Sequence, residues 1–109
     1  MAYDERVAQR IREELGGMPG LVEKKMFGGV GFILRGNMAV GVLGNDLIVR
    51  LGTAQQTEAL AQPHVRVFDM TGRPMKGWVL VSPEGYESED ELRRWIDYGV
   101  ALTLSLPPK

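Results

Sequence analysis

The 109 residues carry 13 lysines and arginines against 14 acids, a net charge of −1, with 44% hydrophobic and 25% charged side chains and no cysteine. Such totals describe one domain, residues 1–109, built on a single core; they exclude disorder, a disulfide scaffold, thiolate catalysis, cysteine-type zinc sites and a general attraction to nucleic acid or anionic lipid. The start Met1-Ala2-Tyr3-Asp4-Glu5-Arg6 does not read as a signal peptide and no stretch approaches the roughly 20 apolar residues needed to span a bilayer, so the expectation is a cytoplasmic protein with no membrane partner.

In chain order, Val7, Ile11 and Leu15 recur at four-residue spacing with Ala8 beside them, which predicts an amphipathic helix over 4–15 that Gly16-Gly17 and Pro19-Gly20 end. Residues 21–27 read as a loop running into an edge strand, where Glu23, Lys24 and Lys25 discourage pairing with other molecules. The stretch 26–51 then writes out three short strands. Gly36-Asn37 and Gly44-Asn45 lie between apolar runs and suit two-residue hairpin loops, because glycine supplies the positive φ they need. A loop at 36 and 37 pairs Arg35 with Met38, Ile33 with Val40 and Gly31 with Val42; one at 44 and 45 pairs Leu43 with Asp46, Val42 with Leu47 and Val40 with Val49.

Strand alternation then collects Ile33, Met38, Val40, Val42, Leu47, Val49 and Leu51 on one face, beside Gly29 and Gly31. The other face carries Val30, Phe32, Leu34, Ala39, Gly41, Leu43 and Ile48, with Phe32 across from Gly41 and its ring over bare backbone. That face is too apolar for a freely solvated surface. Phe32, Leu34, Leu43 and Ile48 are therefore the candidate interface residues, to be covered by another part of the chain, by a second copy in a homodimer, or by a ligand in a groove.

Thr53 with Gln56 spells a capping box for a short helix ended by Pro63. His64 to Met70 alternates as a strand with Val65 and Val67 on one side and Arg66, Phe68 and Met70 on the other; residues 71–77 form a loop and 78–82 the last strand, which makes five or six antiparallel strands. Ser88 with Glu91 caps a long helix whose Leu92, Trp95, Ile96, Gly99, Val100 and Thr103 form a buried stripe. Gly99 costs about 1 kcal/mol against Ala inside a helix, which points to close packing on the sheet or the first helix.

Catalytic chemistry finds little support. His64 is the one histidine, and Ser82, Ser88 and Ser105 sit in no nucleophile elbow. Asp46, Asp69, Asp90 and Asp97 scatter over turns and helix faces, so no metal site, cofactor or catalytic residue is assigned. Gly28-Gly29-Val30-Gly31 lacks the remaining residues of either phosphate-loop signature and leads into a strand. The loop 71–77 is the best candidate binding surface, with Arg73 and Lys76 flanking Pro74-Met75 and with Arg66 and Trp78 at its roots, where cations beside an aromatic suit phosphate or a stacked base.

The blocks Lys-Lys-Met-Phe-Gly-Gly-Val-Gly-Phe (24–32), Gly-Asn-Met-Ala-Val-Gly-Val (36–42), Asp-Leu-Ile-Val-Arg-Leu-Gly (46–52) and Thr-Gly-Arg-Pro-Met-Lys-Gly-Trp-Val-Leu-Val (71–81) resemble the N-terminal domain of the TfoX/Sxy family. The likeness runs from about Arg6 to the terminal Leu-Pro-Pro-Lys. It implies a two-layer α+β fold, an antiparallel sheet packed by N- and C-terminal helices and similar to type III secretion chaperones. The named members are bacterial competence regulators that act as coactivators with the cyclic-AMP receptor protein, and the resemblance implies no catalytic residues. Those members carry a second, helical domain, whereas this chain stops at Lys109. Two readings follow: a non-enzymatic regulatory module with a protein partner, the transcription machinery among the candidates and homodimeric through the second sheet face, or a nucleic-acid-binding accessory using Arg66, Arg73 and Lys76.

Overall fold

A computed structural model of the chain describes residues 3–26, 28–69 and 75–108. The Asp4 carboxylate accepts the Arg6 amide at 2.9 Å and so starts α1 (Glu5–Leu15), satisfying one of the donors that a helix N-terminus leaves unpaired. Gly16, at φ 59°, ends it. Four strands follow, each antiparallel to the last: β1 (Leu21–Met26), β2 (Gly29–Leu34), β3 (Asn37–Leu43) and β4 (Asp46–Arg50). After α2 (Thr53–Leu60) come β5 (Val65–Val67) and β6 (Trp78–Val81), and β6 inserts between β4 and β5 to give the order β1-β2-β3-β4-β6-β5. The expected capping box at Ser88 and Glu91 opens α3 (Glu89–Ser105). The architecture is α+β: a six-stranded antiparallel sheet and three helices.

Both long helices cover one side of the sheet. Val7, Ile11 and Leu15 of α1 and Leu92, Trp95 and Ile96 of α3 share one buried cluster with Val30, Phe32, Val40, Val42, Leu47 and Val49. Gly99 is the contact point: a Cβ there would run into the Ala39 carbonyl and stand 2.9 Å from Val40 Cγ1, so the missing side chain lets α3 lie directly on β3. The Tyr86 hydroxyl donates to the Asn45 carbonyl, and Arg10 donates to the Tyr86 and Glu87 carbonyls, which ties the start of α3 to α1 and the β3–β4 turn.

The β3–β4 register is the expected one, with Leu43 opposite Asp46, Val42 opposite Leu47 and Val40 opposite Val49 across the Gly44-Asn45 turn. The β2–β3 register is not. Its turn is Arg35-Gly36, at φ 54° and 84°, so Leu34 faces Asn37 and Ile33 faces Met38. Ala39 is then an extra residue, and beyond it Phe32 faces Val40, Gly31 faces Gly41 and Val30 faces Val42. Displacing the turn by one position moves each pairing by two and leaves the faces unchanged; the bulge moves them by one and inverts β2 relative to β3. Val30 and Phe32 therefore point at the helices together with Val40, and Ile33, Met38, Gly29 and Gly31 belong to the opposite face.

Two corrections follow for the interface candidates: Phe32 and Leu34 are 1% and 2% exposed, Phe32 in the helix-side core and Leu34 on the same face by alternation, so neither can be an interface residue. It is the Met38 side chain, not the Phe32 ring, that lies over Gly41. The Thr53–Gln56 box is also replaced. Gly52 is the N-cap of α2, its N–H donating to Gln55 Oε1 at 3.2 Å, and Gln56 turns away to the β6 side.

Candidate functional site

The sheet face turned away from α1 and α3 is built from alternate residues of every strand, and at its centre it has no side chains. Gly31 and Gly41 are cross-strand neighbours. A Cβ on Gly31 would stand 3.2 Å from Met38 Sδ and 3.3 Å from Met26 Sδ, and the Met38 methyl covers Gly41. Two thioether chains thus roof a floor of bare backbone. Met26 and Met38 are half-buried, as are Ile33 and Leu43 on the same face. Val22, opposite Ile33 on the edge strand, is 57% exposed.

Towards β6 the face is covered by its own chain. Ile48, Phe68 and Leu80 form a second buried cluster, with Met38, Leu43, Met75 and Trp78 packed around it. Phe68 and Met75 are the two ends of the β5–β6 connection, joined by a 3.0 Å bond from the Met75 amide to the Phe68 carbonyl. Gln56 holds the far end: its side-chain amide donates to the Met75 and Trp78 carbonyls, each at 3.1 Å, and accepts from the Gly77 N–H at 3.0 Å. The Trp78 ring meets Phe68 edge-on, centroids 6.1 Å apart at 66°, and the Arg50 guanidinium lies 5.3 Å above the Trp78 ring.

Cations rim this face. Lys24 stands opposite Gly31, and Lys76 is exposed beside Met75. Among the described residues Lys24, Arg50 and Lys76 join no ion pair. Arg66 does: it donates to the Asp46 carboxylate and, at 2.9 Å, to the Ser82 hydroxyl, which leaves it little free charge. Of the expected binding residues, Lys76 and Trp78 sit at the start of β6, Arg66 reaches the other end of that strand at Ser82, and Arg73 lies outside the described residues. Leu43 also belongs here, whereas Ile48, on the same side, is 0% exposed in its cluster with Phe68 and Leu80 and is no more an interface residue than Phe32 or Leu34. Met26 and Met38, which sequence reasoning left out of the site, lie at its centre, because the Gly31–Gly41 pairing they cover depends on the shifted β2–β3 register.

His64, at φ 69°, has its Nδ1 3.8 Å from Glu84 Oε2, while the Ser82, Ser88 and Ser105 hydroxyls are engaged with Arg66, Glu91 and the Leu102 carbonyl. Among the described residues no three His, Asp or Glu side chains gather as a metal would require. Gly29 faces the Val42 carbonyl so closely that no Cβ fits, which accounts for that glycine by strand packing. A cleft of about 420 Å³ beside α1 is lined by Asp4, Arg6, Arg10 and Tyr86, groups already committed to each other and to backbone. Among the described residues no helix is long and apolar enough to cross a membrane.

The model of the TfoX N-terminal domain matches residues 13–102 of the 109. No curated protein and no solved structure matches the chain.

Proposed function

The chain belongs to the TfoX N-terminal domain family, and from that premise we propose that it is a non-enzymatic regulatory module that docks a protein partner on the helix-free face of its sheet. One observation carries the reading: partly buried Met26, Ile33, Met38 and Leu43 and exposed Val22 all lie on one sheet face that no helix covers. Methionine suits such a role, since its unbranched, polarizable chain adapts to different contours. Coactivation, the role of the family's competence regulators, is itself a protein-docking activity. A nucleic-acid reading would draw on Arg66, Arg73 and Lys76, of which Arg66 is already balanced by Asp46 and Arg73 lies outside the described residues.

Photo-crosslinking from within cells tests this. A photoreactive residue at Leu43 should give adducts of discrete mass, and one at Leu104, exposed on α3, should not. Adducts of equal yield at both positions, or none at Leu43, would refute it.

A further inference from the structure

We propose that the partner presents an acidic segment that sets one aromatic or long aliphatic side chain onto the Gly31–Gly41 floor, displacing the Met26 and Met38 thioethers. The inference rests on the docking reading above and adds the chemistry of the site.

The atoms nearest a Cβ on Gly31 are Met38 Sδ, Met26 Sδ and the Met26 methyl, at 3.2, 3.3 and 3.4 Å. All three end side chains with three rotatable bonds, which swing aside without moving the sheet. Below them lies only strand backbone, the surface over which aromatic rings lie when they cover strand glycines. Hydrophobic neighbours, Ile33 and Leu43, would flank the incoming group.

Charge decides the rest. Lys24 stands opposite Gly31, Arg50 lies over Trp78 and Lys76 is exposed beside Met75, none with a counterion among the described residues, in a chain whose net charge is −1. Asp46, opposite Leu43, is the acid that strand alternation puts on this face, and it is paired with Arg66, while Glu13 and Glu14 lie on α1 and Glu89, Asp90, Glu91 and Asp97 on α3. A second copy placed face to face would bring like charges together. Nucleic acid would meet only a few cations around thioethers, where single-strand binding needs a basic groove and open aromatic faces. An acidic protein segment satisfies both the rim and the centre.

The test is NMR titration of protein labelled at amides and methionine methyls with three short synthetic peptides: glutamates flanking one tryptophan, lysines flanking the same tryptophan, and glutamates flanking serine. A single-stranded oligonucleotide is the fourth probe. The glutamate–tryptophan peptide should shift the Met26 and Met38 methyls and the Gly31 and Gly41 amides, and bind more weakly as salt rises. Lys24→Glu and Lys76→Glu should each weaken it roughly two- to fivefold. Gly31→Ala keeps the fold, because only flexible side-chain ends give way, yet raises the floor and should weaken the peptide severalfold while lowering the melting temperature by less than about 4 °C.

Unmoved Met26 and Met38 methyls, or equal binding by Gly31→Ala, would overturn the proposal. Stronger binding of the lysine peptide or the oligonucleotide at this face, or shifts that appear on simple dilution, would also overturn it and identify a different occupant. Crosslinks at Leu43 together with any such result would leave the docking reading standing; loss of both would end it too.

Discussion

Replacing Gly99 by Ala sets two known effects of opposite sign against each other. In an exposed helix the change stabilises by about 1 kcal/mol, because alanine loses less backbone entropy on folding. Here the new Cβ would collide with the Ala39 carbonyl and stand 2.9 Å from Val40 Cγ1. Ordinary carbon contacts lie at about 3.5–4.0 Å, so α3 must retreat from β3 by something under about 1 Å, which strips contacts from Trp95 and Ile96. Overpacking of this kind costs about 1–3 kcal/mol, and a backbone carbonyl in a central strand puts Gly99 at the upper end. The net expectation is a loss of about 2 kcal/mol, or roughly 8 °C in melting temperature at about 4 °C per kcal/mol for a chain of this size. Thermal and urea unfolding followed by far-ultraviolet circular dichroism measure it. Ala101→Gly, on the exposed side of the same helix, isolates the propensity effect and should cost about 1 kcal/mol. An unchanged or raised melting temperature for Gly99→Ala would mean that α3 does not rest on β3 at this point.

Other perturbations follow from the same contacts. Gly41→Ala places a Cβ 2.7 Å from the Val30 carbonyl and should cost about 1–3 kcal/mol, whereas Gly31→Ala, which meets only thioether ends, should cost under about 1; urea midpoints in the reverse order would contradict the register. Gln56→Ala leaves the buried Gly77 N–H and two carbonyls without their side-chain partner, so stability should fall by about 1–3 kcal/mol and hydrogen exchange at Gly77 should accelerate; unchanged exchange would rule out the clip. Burial, with smaller contributions from the Asp4 and Asp46 charges, pushes the Tyr86 hydroxyl from 10.0 up to about 12. The folded state thus favours the protonated form: its contribution is complete below pH 10 and is lost as pH rises towards about 12. Wild type and Tyr86→Phe should therefore differ in stability below pH 10 and converge above it, as pH-dependent urea titrations would show; a constant difference would argue against a buried hydroxyl.

Much of the fold was legible because local signals agreed with the final packing. Val7, Ile11 and Leu15 sit on the buried side of α1, Ser88 and Glu91 cap α3, and Gly44-Asn45 sets the β3–β4 register. Gly99 announced a close contact before any partner was known. The candidate site was legible only in part: Leu43, Ile48, Lys76 and Trp78 fall on the helix-free side, whereas Phe32 and Leu34 do not. Gln56 was misread because a Thr followed three residues later by Gln is the same pattern whether it caps a helix or reaches a neighbouring loop.

Periodicity, caps and glycine turns act over a few residues, so the amino-acid order by itself marks the long helices and β2 to β4, while it reads 21–27 as a loop running into an edge strand and draws β5 too long. Tertiary structure alone decided which face of β2 meets the helices. Both faces of that strand are apolar, so hydrophobicity cannot choose between them, and in a period of two one extra residue inverts everything beyond it. The choice is made where α3, lacking a side chain at Gly99, presses on Ala39 and Val40: Val40 faces the helix, the bulge at Ala39 brings Phe32 to the same side, and the glycines and methionines are left facing outward.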